Sequence, residues 1–404
     1  MHKPGVLVIH NHYQQAGGED TMVRAETALL RQYGHRVTEY VRNNAVIREF
    51  GWLRKGSLLL STTWNSRVYG ELRRLIRAEQ PDVAHCHNLQ PLISPAAYYA
   101  CRAEGVPVVQ TLHNLRFCCP AGTCFRNNAT CKDCDGALGR AVARGCYRNS
   151  RLQTTAVALM LGMHRTLGTW QHAVDAYSAP SVFCLERIAG AGIPRTKISL
   201  RPNFLLRDPG TRTASDDYVV FVGRLCAEKG ILQLLSAWRQ LRKIPLVVVG
   251  DGPLRSEAEH YAERHGMSDV RFTGALPAEE TMARLKAARF LVCPSVFCET
   301  FGMTVLEAAA CGVATVGSRS GAIPELVEEG KTGLLFDPHD REELVEKADW
   351  AWSHPVAVNE MGAAARRRYL QRYTAEKNYG ELMGIYRSVM ATGAPEASAR
   401  IAVA

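Results

Sequence analysis

The feature that most constrains this chain is an alternation of short apolar runs with amphipathic segments, and it occurs twice. In the first half "GVLVIHN" (5–11) is a β-branched run followed by the turn "AGGED". "TMVRAETALLRQYGH" then places Met22, Ala25, Leu29 and Leu30 at helical spacing and stops at Gly34. "RVTEYV", "DVAHCHN" and "PVVQTLHN" read as strands; "NSRVYGELRRLIRAEQPD" and "SPAAYYACRAEG" read as the helices between them. The rhythm breaks over 117–150 and resumes with a helix over 154–172, the strand "AVDAYSAP", the helix "SVFCLERIAGAG" and the strand-like "KISLRPNF". A polar stretch, "LLRDPGTRTASDD" (205–217), reads as a linker. The pattern then restarts through "YVVFVGRLCAEKG", "ILQLLSAWRQL", "IPLVVVGDGPLR", "DVRFTGALP", "AEETMARLKAA", "RFLVCPS", "TVLEAAACG" and "VATVGSRSG". This predicts an α/β chain of two doubly wound, Rossmann-like domains, 1–204 and 218–390, facing a central cleft. The final helix is expected to pack back on the first domain, and the Ala-rich, Pro-broken tail 391–404 to be disordered.

A length of 404 residues suits two cores better than one. The N-terminal apolar run "VLVI" is shorter than the roughly 7–15 residues of a signal-peptide core. No uncharged run approaches the roughly 20 residues of a membrane span. The expected location is therefore the cytoplasm, where thirteen cysteines read as thiols or metal ligands and not as a disulfide framework. Charge is uneven. Residues 1–180 carry 21 Lys and Arg against 12 Asp and Glu, a net of +9, while the whole chain is +10. A basic first half fits an anionic partner: a phosphate-bearing substrate, an acidic membrane surface or nucleic acid.

In doubly wound sheets ligands bind beyond the carboxyl ends of the strands. "HNHYQQAGGE", "HCHNL" and "TLHNLR" fall there in the first half. In the second, "FVGRLCAEKG" sends Arg224 and Lys229 out of the strand after Gly223, an arrangement that stabilises charge on a departing diphosphate. "CETFGMTVLEAAACG" places Glu299 and Glu307 eight apart, in a loop and in a helix. Between them Gly302 allows close backbone approach, and the helix start offers free N–H groups to phosphate. Glu307 lies inside an otherwise apolar helix, where a carboxylate is costly to bury unpaired.

Taken in order, "GG(E)", "TLHN", "VGRLCAEKG", "VVVGDGPLR", "FTGALP", "ETFGMTVLEAAACG" and "VGSRSGAIPELVEEGKTGLLF" closely resemble the retaining family 4 glycosyltransferases of the GT-B fold. The resemblance runs from about residue 5 to 390 and is strongest in the second half. It implies that Gly17 and Gly18 form the glycine loop near the donor diphosphate and acceptor, and that His113 lies close to the transferred sugar. It implies that Arg224 and Lys229 hold the diphosphate, Glu299 faces the sugar, and Phe301 and Gly302 supply loop backbone. Glu307 then meets the ribose, and Leu276 lies where the base is held. The glycine loop here is "GGED", where many members have Gly-Gly-x-Glu, so no role follows for Glu19. The implied reaction transfers a sugar from a nucleotide-sugar donor to a glycan or lipid-linked acceptor with retention. No metal is required, because Arg224 and Lys229 supply the positive charge. The implied setting is bacterial cell-surface polysaccharide or glycolipid synthesis, with "WLRKGSLLLSTTWNSRVYGELRRLIR" meeting the inner face of an anionic membrane.

Six cysteines concentrate in 118–146. Cys119, Cys131, Cys134 and Cys146, spaced C-x11-C-x2-C-x11-C, suit a structural zinc, with free thiols or a disulfide as the alternatives. Cys118 and Cys124 are spare. The insert is expected on the acceptor side, and His10, His12, His85 and His87 are expected to line the same pocket. Rival readings are an epimerase or phosphorylase on the same fold, or a zinc-dependent nucleic-acid-binding protein. Against the last, the basic residues cluster in no recognition helix and no aromatic stacking platform is evident.

Overall fold

The structure is a computed structural model and describes residues 3–14, 17–127, 129–134 and 137–392. For residues 52–55 and 392 it describes the backbone alone. The first sheet contains β1 (Val6–His12), β2 (Val37–Asn43), β3 (Val83–Cys86) and β4 (Val108–Thr111). A small antiparallel hairpin, β5 (Phe125–Arg126) and β6 (Ala129–Thr130), interrupts it before β7 (Ala176–Ala179) and β8 (Ile198–Leu200). The second sheet contains β9 (Val219–Val222), β10 (Leu246–Val249), β11 (Val270–Gly274), β12 (Phe290–Cys293), β13 (Ala314–Ser318) and β14 (Gly333–Phe336).

Both sheets are six-stranded, in the orders β2-β1-β3-β4-β7-β8 and β11-β10-β9-β12-β13-β14. Every pairing within them is parallel. Helices cover both faces, so β3, β4 and β7 are buried at every residue and read as continuous runs without alternation. Strand order reverses between β1 and β3 in one sheet and between β9 and β12 in the other, and the crevices beyond those reversals are where such folds bind ligands.

The helix Pro355–Arg372 stays with the second sheet, packing on the helix Met303–Cys311 and on β13. The next helix, Ala375–Thr392, crosses to the first sheet. Its Leu382, Met383, Ile385, Tyr386 and Val389 share a core with Val6, Val8, Val83 and Val109, each large apolar side chain contributing about 1.5–3 kcal/mol. The chain thus returns to its first domain at its end. Residues 391 and 392, expected in a disordered tail, continue the helix, and 393–404 lie outside the described residues.

The cysteine insert is a compact flap. Leu115 N–H bonds Gly122 O and Cys131 N–H bonds Cys124 O; the short helix Leu138–Arg144 ends at Gly145. Cys118, Cys119 and Cys124 join the core that holds Leu112 and Leu115, as does Cys298 of the second domain.

Candidate active site

In the second domain the loops after β9 and β12 meet. Lys229 Nζ donates to Glu299 Oε1 at 2.5 Å, and Ser295 Oγ donates to the same oxygen at 2.7 Å. Burial works against the Lys229 charge, but Glu299 outweighs it and holds the ammonium pKa above its ordinary value. Arg224, two residues beyond β9, is exposed and has no ion pair among the described residues. Gly302 caps the helix Met303–Cys311, whose first N–H groups have no partner within the helix. Inside that helix burial pushes the Glu307 carboxyl up to about 7, and no side-chain partner meets it among the described residues. Leu276 is half-buried and packs in the cluster that holds Val305 and Leu306. The Phe301 side chain is buried against Tyr373.

Close glycine packing sets this geometry. A Cβ on Gly321, whose φ is +56°, would lie 2.3 Å from Glu299 O and 2.4 Å from Glu299 N. Ala322 N–H donates to Glu299 O at 2.8 Å, so the "SRSGAIPE" loop seats the Glu299 backbone. Gly250 packs in the same way on the residue before Arg224, since a Cβ there would lie 1.9 Å from Gly223 O. Ser295 and Gly321 had no role in the sequence reading. "SGAIPE" carried a signal, a glycine before a Pro-Glu helix start, but its target is 22 residues away in sequence.

On the first domain, His113 follows β4, and Thr300 Oγ donates to its carbonyl at 2.9 Å, tying it to the residue after Glu299. The Ser181 hydroxyl donates to Thr300 O at 2.6 Å. Glu325 receives the N–H groups of Val182 and Phe183 at 2.8 and 2.7 Å. These contacts bring His113 and the Glu299–Lys229 pair together, with Arg224 on the loop that carries Lys229. Gly17 caps the helix Gly18–Gln32 and has open space around it, as does Gly18. In that helix's first turn Glu19 bonds Tyr13 at 2.9 Å and Asn114 at 3.3 Å. Burial pushes its carboxyl up to about 7, against the pull of Tyr13 and Arg116. Glu19, His87, His113, Asn114 and Arg116 line a small cavity of about 50 Å³. None of Glu19, Tyr13 and Arg116 had been assigned a role.

The expectation that four histidines line the pocket is corrected in part. His87 lines it and His12 is partly exposed, but His10 and His85 are fully buried. His10 and His12 both bond Asp20 Oδ1, at 2.7 and 3.1 Å. His85 is held by Tyr386 and Thr111 at 2.6 and 2.7 Å, because the last helix seals that side of the sheet. Buried Glu26 pairs with Arg201 at 2.5 Å. Among the described residues, His10/His12/Asp20 and Glu26/His85/His87 are the groups whose metal-ligand atoms all lie within 4.8 Å.

The proposed zinc tetrad is not gathered in this way. Around zinc, thiolate sulfurs lie about 3.8 Å apart, whereas no three of Cys119, Cys131, Cys134 and Cys146 come within 4.8 Å of one another. The Cys119 thiol is instead engaged by Cys124, one of the two cysteines left spare, and that bond lowers its pKa to about 5. The turn from Cys119 to Cys124, closed by Gly122 N–H on Cys119 O, produces this pairing. As described, the thiols do not fit a tetrahedral ion. The flap does reach the second domain, where Cys298 Sγ lies 3.8 Å from Thr130 Oγ.

Two family descriptions match consecutive parts of the chain: Glycosyltransferase Family 4 over residues 16–205, and Glycosyl transferases group 1 over residues 206–368. The O-antigen chain mannosyltransferase C of Escherichia coli is 31% identical over 180 residues, 44% of this chain and 48% of that protein. The chain thus spans about half the length of that relative. The alpha-D-kanosaminyltransferase of Streptomyces kanamyceticus is 25% identical over 345 residues, covering 83% of this chain and 82% of its own. Among solved structures, Anabaena HepE in complex with UDP superposes with a TM-score of 0.69 over 95% of this chain and all of its own, at 16% identity, a likeness of fold. With matches running in succession through both sheets, the chain belongs to the group 1, family 4 glycosyltransferases of the GT-B fold.

Proposed function

We propose that this protein transfers a sugar, with retention of anomeric configuration, from a nucleotide-sugar donor on the second domain to a glycan or lipid-linked hydroxyl on the first. The observation that carries this reading is the cluster of Lys229, Glu299 and Ser295, joined to His113 through Thr300, with exposed Arg224 on the same loop as Lys229. Arg224 and Lys229 stabilise charge growing on the leaving diphosphate without a divalent ion, and Glu299 orients the sugar. Glu307, half-buried without a side-chain partner, receives ribose hydroxyls, and Leu276 packs on the base. Gly17 and Gly18 admit the diphosphate and acceptor at the start of the first helix. Domain closure through Thr300, Ser181 and Glu325 expels water from the site.

The relatives' names, an O-antigen mannosyltransferase and an antibiotic kanosaminyltransferase, support transfer chemistry. A structural neighbour's complex with UDP supports a nucleotide donor. Cell-surface polysaccharide or glycolipid synthesis on the inner face of a membrane is the setting we assign. No helix among the described residues is long and apolar enough to cross a membrane. Exposed Leu152, Leu159, Met163 and Leu167 instead form an apolar stripe along the helix beginning at Arg151, where exposed Arg151 favours anionic lipid. The test is a panel of UDP-, GDP- and ADP-sugars in EDTA, with NMR of the product anomer. Turnover with an unchanged anomeric configuration is expected, and no binding or turnover across the panel refutes the reading. Phosphate-dependent release of sugar 1-phosphate would assign a phosphorylase instead.

A further inference from the structure

A line of buried polar groups runs from the core of the first domain to the cleft. Glu26 is 3% exposed, and its Oε2 receives Arg201 at 2.5 Å. Its other oxygen, Oε1, lies 2.9 Å from His85 Nδ1 and 3.4 Å from His87 Nε2. The His87 ring stacks on His113 with centroids 5.2 Å apart, and His87 Nδ1 lies 2.9 Å from His113 Nε2. No residue in this line contacts solvent freely except His113, whose Nδ1 has no hydrogen-bond partner among the described residues.

An ionised carboxylate only accepts hydrogen bonds, and a neutral imidazole carries one N–H. Burial opposes the Glu26 charge, but Arg201 and His85 outweigh it and hold its carboxyl well below the usual range. Burial keeps His87 neutral, with a pKa of about 4, and keeps His113 neutral as well. The directions of the bonds then follow one after another. At 3.4 Å His87 Nε2 and Glu26 Oε1 make no regular hydrogen bond, but a lone pair on Nε2 would face an anion, so the proton is favoured there and Nδ1 is left as the lone pair. Against that lone pair His113 Nε2 must bear the proton, so His113 Nδ1 is the acceptor.

We propose that Glu26 and His87 are positioning residues that fix the tautomer of His113, so that it offers the substrate an unprotonated Nδ1 as an acceptor for a sugar hydroxyl. This rests on the transferase reading for the identity of the hydroxyl, but not for the tautomer. Neither residue touches substrate; each acts through the next ring.

The experiment is 15N NMR of full-length protein labelled at histidine, with the His113 signals identified by difference against His113→Asn. The wild type is expected to show an Nε2–H tautomer at His113. Glu26→Gln keeps the shape while reversing the instruction. Its carbonyl must face the Arg201 donors, so its NH2 faces His87 Nε2, and the proton pattern inverts to Nδ1–H at His113. Turnover should then fall about tenfold or more in kcat with donor KM nearly unchanged, as for one lost hydrogen bond in the transition state. Should Glu26→Gln fail to fold, His87→Asn is the second variant; its amide oxygen can accept from His113 Nε2–H and is expected to preserve the tautomer, where His87→Ala mixes the two. An Nδ1–H tautomer in the wild type, or an unchanged spectrum and rate in folded Glu26→Gln, overturns the proposal. Absence of turnover with every nucleotide sugar would overturn the transferase reading, while the spectrum would still decide the tautomer.

Discussion

Replacing Gly321 by Ala tests whether the cleft depends on backbone packing remote from the reacting atoms. The added methyl would sit 2.3 Å from Glu299 O, 2.4 Å from Glu299 N and 2.9 Å from Cys298 C. All three atoms are backbone, so no side chain can rotate aside. Ordinary carbon contacts need roughly 3.5 Å, so one loop must move by about 1 Å. At a φ of +56° the new side chain also adds about 1–2 kcal/mol of left-handed strain. Glu299 is the residue displaced, and with it the bond to Lys229. With Glu299 orienting the sugar as proposed, a shift of that size costs about a hundredfold in kcat. Thermal unfolding should fall by about 4–8 °C for some 2 kcal/mol lost in a domain of this size. The assay is initial-rate transfer beside calorimetry and nucleotide binding. A folded Gly321→Ala protein with kcat within about threefold of wild type and an unchanged Tm refutes the reasoning, because Glu299 would then not depend on that contact. Gly17→Ala is the matched control: nothing lies within 4 Å and the φ of −134° suits any residue, so Tm should hold while donor KM rises.

Four further expectations follow from the same geometry. Glu307 has its folded pKa raised from 4.5 to about 7 by burial, so the folded protein binds its proton more tightly than the unfolded chain; stability falls as pH rises from about 4.5 to 7 and stays lower above it, by at most about 3 kcal/mol. Glu307→Gln should flatten that slope in pH-dependent melting and weaken nucleotide binding. Glu325→Ala removes two charge-assisted bonds between the domains, and small-angle scattering should show a more open molecule, with kcat lowered more than nucleotide affinity. Metal analysis of the purified protein should find no stoichiometric zinc, with thiol titration finding the insert cysteines reduced; one zinc per chain, lost on mutating Cys131 or Cys134, would overturn that expectation. Flotation with anionic vesicles should carry the protein up, and Leu152→Glu with Leu159→Glu should abolish it without changing turnover on a soluble acceptor.

Local patterns determined the broad architecture. Runs such as "VLVIH" and "LVVVG" form strands because β-branched residues fill a sheet covered on both faces. The positions of His113, Arg224 and Lys229 at strand ends were equally legible, since a parallel sheet brings every carboxyl end to one edge. The pairing that completes the site was not. Lys229 meets Glu299 only because β9 and β12 adjoin at the strand-order reversal, 70 residues apart in sequence. Gly321 is a turn glycine in the sequence and a seat for Glu299 in the fold. Glu26 reads as an ordinary helix residue. Only the return of the last helix, which seals Tyr386 over His85, removes it from water and turns it toward the His87–His113 line. The cysteines showed the limit of spacing most plainly. Spacing suggested a metal tetrad, but the turn after Cys119 paired it with Cys124. Which sulfurs meet depends on how the backbone folds between them, and that is decided by packing against Leu112, Leu115 and the second domain.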